Sequence, residues 1–351
     1  MNQHYQQSPY GKIPLELDTS FLGIKGELPN RTEKRQLMLL STVVGLSVIF
    51  FIGLQYAIPY VLVYLGIGNV YFSNESAQVA IDTLLSIFCI FIPFAIAYRI
   101  ISKRISPTTE ILPFKKPVST TFFGLAIAMG LLALLLSNML ASAFIYYMDN
   151  IGVKFTAPET QEFSGGTSTF LFYMVRGAMV PALIEEFSLR GVVMQPLRKY
   201  GDKFAIVMSS LVFAIMHGNM VQAPFAFILG CAIGYLVIIT DTLWTGVIIH
   251  FTNNAFSIVM SVIASKMDYE AYFRVYSISS LVILLIGGAA TALFVFNRRK
   301  YPYLNSAGGI TRVSRRKYFT SASKTYLLNP ALLVALGILI YNMTDYISFG
   351  G

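Results

Sequence analysis

Runs of apolar residues long enough to cross a bilayer dominate this sequence. A transmembrane helix needs about 20 residues at 1.5 Å each. Stretches of that order occur at roughly 37–66, 77–98, 119–147, 168–197, 221–240, 243–264 and 277–297. Two shorter runs, roughly 203–217 and 328–343, read as spans from their context. Length alone would allow two soluble domains, but only 12% of the residues are charged, against about 25% in soluble proteins. The sequence therefore predicts an all-α, polytopic transmembrane helical bundle of about eight or nine spans. Cys89 and Cys231 both fall in apolar runs and read as small buried residues, not as a disulfide or a metal clip.

The net charge of +9 does not point to nucleic acid, because the basic residues sit in short connections beside the spans. They alternate from one connection to the next. The N-terminal segment, the connection carrying Arg99 to Lys116, the cluster Arg198, Lys199 and Lys203, and the loop 298–326 are basic, whereas the connections near 67–76 and 218–220 hold no Lys or Arg and the one before the fourth span holds only Lys154. The positive-inside rule then puts the N-terminus in the cytosol of an integral, multi-pass membrane protein, with nine spans if 203–217 is one of them. The chain divides into a cytosolic polar tail (1–35), N-terminal spans (36–166), a core rich in polar residues (167–265) and C-terminal spans with the basic loop (266–351). The tail contains no short apolar core with a cleavage site, so it does not read as a signal peptide.

Ionisable residues inside spans are costly and are functional candidates. They concentrate in three runs. The fourth span contains PALIEEFSLRG, in which Glu186 and Arg190 are four positions apart and share a helix face. Glu185 points about 100° away, leaving it to face a polar cavity. Pro181 frees the carbonyl of Gly177, so a kink is expected there. A structural ion pair is the plain alternative for Glu186 and Arg190. The fifth span ends in SSLVFAIMHGNM, with Phe213 and His217 one turn apart; the seventh reads TGVIIHFTNNAFS, with His250 and Asn254 on one face and Asn253 to the side. Polar glue between helices is the alternative for these. Counted from the basic ends at 1.5 Å per residue, Glu185 lies roughly 20 Å deep, Arg190 roughly 12 Å, His217 roughly 21 Å, and His250 and Asn254 roughly 10 and 16 Å. The shared band favours one site.

A carboxylate and an imidazole can together take a proton from water, making it a nucleophile for an amide carbonyl. His250 and Asn254 offer N–H donors for the resulting oxyanion. The sequence has neither GxSxG nor HExxH. Zinc needs about three protein ligands, which Glu185, His217 and His250 could supply on paper, so hydrolysis with and without a metal both remain open on these residues.

The three motifs, EExxxR at Glu185, Glu186 and Arg190, FxxxH at Phe213 and His217, and HxxxN at His250 and Asn254, resemble those of the CPBP family of CAAX-protease and bacteriocin-processing (Abi) membrane proteins, which includes the Rce1-type prenyl endopeptidases. The resemblance covers roughly residues 167–265. It implies a helical intramembrane peptidase in which Glu185 and His217 activate water and His250 and Asn254 form the oxyanion site. Glu186, Arg190 and Phe213 support them. It also implies that no cofactor is required on the glutamate mechanism, with zinc as the alternative. The expected partners are the lipid bilayer and a prenylated or bacteriocin-like peptide or protein. Two other functions compete: a non-catalytic immunity or scaffold protein of the same fold, and a proton-coupled transporter. The absence of an internal repeat speaks against the transporter.

Overall fold

A computed structural model describes residues 29–105, 110–117, 119–156, 167–297 and 316–349. Most of the tail expected at 1–35, and most of the basic loop expected at 298–326, lie outside the described residues. Those described are almost wholly helical. The first helix, α1 (Arg31–Tyr64), starts ahead of the apolar run because Asn30 closes a capping box: its side chain accepts from the Glu33 amide at 2.8 Å and Glu33 Oε2 accepts from the Asn30 amide at 2.9 Å. Residues 31–35, expected in the tail, are therefore its first turns.

A short helix, α2 (Gly68–Ser73), leads to α3 (Glu75–Arg104), and α4 (Thr120–Asn150) follows, capped by the Ser119 side chain. The fifth helix, α5, runs through residues 167–197 and is interrupted twice by wide π turns, at Val175–Met179 and Glu186–Met194. Gly201, at φ 114°, reverses the chain into α6 (Asp202–Met216). Only glycine takes that conformation without strain, and Arg198 Nε clamps Asp202 Oδ1 across the turn at 2.8 Å. Then come α7 (Ala223–Thr240), α8 (Leu243–Lys266) and α9 (Tyr269–Asn297). Last are α10 (Arg316–Leu327) and α11 (Pro330–Thr344), bent against each other by 74° where Asn329 caps the second helix. A two-stranded antiparallel ladder pairs Val153–Phe155 with Ile347–Phe349, with Lys154 opposite Ser348.

Six described helices are long and apolar enough to cross a membrane, and the bent α10–α11 pair makes a seventh. α5 is a further continuous apolar helix over residues 167–197, widened but not ended by its π turns, whereas α6, of 15 residues, reaches only about 22 Å at 1.5 Å per residue, short of a hydrocarbon core of about 30 Å.

The surface is apolar, as lipid requires, with Tyr64, Leu285 and Phe296 among the exposed side chains. The interior holds the polar groups. Arg190, Glu186, Ser188 and Gln195 of α5 are all buried, and from Ser188 to Leu197 every residue of α5 is buried against its neighbours. Cys89 and Cys231 are free thiols, one buried and one half-buried.

Candidate active site

The site is built on α5, α6 and α8. Pro181 has no N–H to donate, and the turn before it is wide: Val180 N–H reaches back five residues to the Val175 carbonyl. The disturbance expected at Gly177 is this π turn. The second π turn begins at Glu186, immediately after Glu185, so the two adjacent carboxylates leave the helix into different surroundings. π turns of this kind recur at functional sites.

Glu186 is wholly buried. Its Oε1 lies 3.0 Å from Arg190 Nη1 and 3.0 Å from His250 Nδ1. The arginine contact is close but lacks the direction of a hydrogen bond, leaving Nη1 without a partner of that kind, so charge holds this pair. The histidine contact is a hydrogen bond. Since a carboxylate only accepts, Nδ1 carries the hydrogen. The other ring nitrogen, Nε2, lies 3.7 Å from Glu185 Oε2, so His250 stands between the two glutamates. Gly246, one turn before His250, makes room for this arrangement: a Cβ there would come within 2.5 Å of Glu186 Oε2.

Phe213 joins the three motifs. Its ring stands perpendicular to His217 with centroids 4.7 Å apart and near-perpendicular to His250 at 5.8 Å. The Arg190 guanidinium sits over the same ring at 4.4 Å, a cation–π contact that lowers the cost of burying the charge. His217 caps the end of α6. Its Nδ1 lies 2.8 Å from the Phe213 carbonyl, which can only accept, so Nδ1 is the protonated nitrogen and Nε2 of the neutral ring keeps its lone pair. Asn219 fixes the turn beyond it, donating to the His217 carbonyl at 3.0 Å and accepting from the Gln222 amide at 2.9 Å.

A cavity of about 520 Å³ opens beside these helices, and Glu185, His217 and Phe213 line it. Glu185 is the more accessible of the two glutamates, its side chain 20% exposed against 0% for Glu186. No hydrogen bond joins Glu185 to His217 among the described residues; the two border the same cavity. His250 and Asn254 are not part of that lining. Asn254 is not hydrogen-bonded to His250 either: its Oδ1 accepts from Asn253 Nδ2 at 2.8 Å. That bond orients the Asn254 amide and leaves its own N–H groups to donate elsewhere.

Sequence reasoning missed Asp82, Arg176 and Tyr71, which line the same cavity. Asp82 and Arg176 carried a usable signal, each being a charge inside an apolar helix. Their pairing did not, since it joins α3 to α5 across 94 positions, 176 less 82. Gly246 and Asn253 were visible only as neighbours of His250 and Asn254.

Glu185, His217 and His250 do not gather into a metal site. Among the described residues no three His, Cys, Asp or Glu side chains are grouped to hold an ion.

The fold is that of a polytopic helical membrane protein with a carboxylate and a histidine bordering one cavity. Residues 167–256 match the model of the Rce1-like family, described as type II CAAX prenyl endopeptidase Rce1-like. The matched segment contains all three motifs and agrees with the resemblance read from them, and it supports a CAAX-type intramembrane protease in general terms. No curated protein and no solved structure matches the chain.

Proposed function

We propose that this protein is an intramembrane endopeptidase that hydrolyses a membrane-associated peptide or protein with water activated by Glu185 and His217. The observation that carries this reading is the shared cavity wall: a carboxylate and an imidazole whose Nε2 is an acceptor both border one space without bonding each other. A water between them gives up a proton to Glu185 as its oxygen attacks the scissile carbonyl, while Nε2 of His217 holds the water in line. The proton then passes to the departing amine, so Glu185 returns to its starting state.

His250 and Asn254 are assigned to the oxyanion. What supports this role for His250 is its position: Glu186 holds the ring through Nδ1, and Nε2 lies 3.7 Å from Glu185 Oε2, the carboxylate that borders the cavity. Asn254 contributes an amide N–H oriented by Asn253. Arg190, Glu186 and Phe213 act as positioning residues that hold His250 and His217.

No metal takes part in this scheme. The family match supports a membrane-associated peptide or protein substrate; a prenylated chain end, met on the cytosolic side where the basic connections and the N-terminus are expected, is the form proposed for it. The test is reconstitution into lipid vesicles with a panel of lipidated peptides. Wild type should cleave, and should continue to do so in the presence of a chelator, whereas Glu185→Gln and His217→Ala should not. Cleavage that survives both substitutions would sink the mechanism.

A further inference from the structure

One stripe of α1 faces the cavity. Phe51, Gln55, Ile58, Pro59 and Leu62 all line it, and steps of three and four positions keep them on one side of a helix. Four of the five are apolar, as befits a wall inside a bilayer. Gln55 stands in the middle of that wall, exposed. Amides that glue membrane helices together are bonded across the contact, as Asn329 is to Thr42 at 2.9 Å. The Gln55 carboxamide has no such bond among the described residues.

Pro59 places a second polar group at the same point. It has no N–H, so the Gln55 main-chain carbonyl lacks the donor that any other residue at position 59 would supply. Pro59 itself borders the cavity, so this carbonyl opens on the cavity side of α1. A carbonyl freed inside a membrane helix persists where another group bonds it. Gln55 thus offers a donor, its Nε2, and an acceptor, its main-chain oxygen, side by side. An extended peptide carries the complementary pair, a carbonyl and an N–H, on its own main chain. Glu185 and His217 border the same cavity from α5 and α6, so a peptide lying along α1 passes before them. We propose that Gln55 is a substrate-binding residue that pairs with the main chain of the peptide: Nε2 donates to a peptide carbonyl, and the freed Gln55 carbonyl accepts from a peptide N–H. This contact lies on α1, outside the segment 167–256 that matches the family. That the bound peptide is cut rests on the hydrolytic reading given above; that it is bound here does not.

The probe is a set of lipidated, reporter-labelled peptides in which one main-chain N–H at a time, on either side of the scissile bond, is replaced by an ester oxygen. Given to the full-length protein in lipid vesicles, one of these esters should be used about five- to tenfold less well than the parent in kcat/KM, mainly through KM. Pro59→Ala restores the helical donor to the Gln55 carbonyl, and should reduce that ester effect to about twofold or less. Gln55→Leu removes the side-chain donor, and should raise KM for the parent peptide about fivefold with kcat within about twofold. Equal use of all esters by wild type, a full ester effect retained in Pro59→Ala, or an unchanged KM in Gln55→Leu would overturn the contact. Binding of the same peptides to Glu185→Gln keeps the two proposals apart: an ester effect in binding upholds the contact even where Glu185→Gln still cleaves and the hydrolytic reading falls. If Gln55→Leu does not fold, the wild-type series and Pro59→Ala, which completes the helix, decide the matter.

Discussion

His250 Nδ1 lies 3.0 Å from Glu186 Oε1, across 64 positions of sequence, so a carboxylate of one motif sets the ring orientation of another. Glu186 is charge-paired to Arg190 at the same oxygen, and all three are buried. Removing one member leaves the others uncompensated, which typically costs about 3–5 kcal/mol. Glu186→Gln and Arg190→Met should each lower thermal stability on that scale. The double variant should lose less than the sum, as residues sharing one network do. Additive losses in a double-mutant cycle would show that the pair is not coupled.

Glu185 should behave in the opposite way. It borders the cavity, and its nearest charged contact, at 3.7 Å from His250, is too long to be a hydrogen bond. Glu185→Gln should therefore change stability by less than about 1 kcal/mol while reducing turnover by about 10²–10⁴-fold. Unfolding curves and peptide cleavage on the same preparation check both halves.

The asparagine pair should show graded effects. Asn254→Ala removes a donor and should cost about 10²–10³-fold in kcat. Asn253→Ala removes only the bond that orients Asn254, so its loss should be smaller, on the order of tenfold, the cost of one modest hydrogen bond. Equal losses for the two, measured as kcat at saturating peptide, would contradict this order.

Gly246 is expected to tolerate nothing larger. A methyl there would press on Glu186 Oε2 and would also approach Val237 and Ile233 within 3.0–3.1 Å. Gly246→Ala should displace the Glu186 carboxylate from His250, lowering both stability and turnover by the 1–3 kcal/mol typical of overpacking. Unchanged cleavage by Gly246→Ala would mean that the contact yields without consequence.

The helical class and the cluster of three motifs were legible in the sequence because each rests on local information: apolar run length, and spacing along one helix. The i,i+4 relation between Glu186 and Arg190 needed only the chain itself. The helix α1 began earlier than its apolar run because a capping box, not hydropathy, sets its first turn. The approach of His250 to Glu186, the ring contacts of Phe213 and the Arg176–Asp82 pair depend on which helices become neighbours, and no spacing within one helix encodes that. Gly246 illustrates the limit: its role is defined by a carboxylate on another helix.

The unbroken burial of α5 from Ser188 to Leu197 bears on the membrane as much as on the reaction. Hydrolysis consumes water, and a hydrated cavity inside a bilayer risks becoming a leak. Here the cavity is bordered by the part of α5 up to Leu189, and beyond it the helix is packed shut around a charge-paired arginine. Such a plug allows water to be used from one direction while the ion gradient across the membrane is left intact.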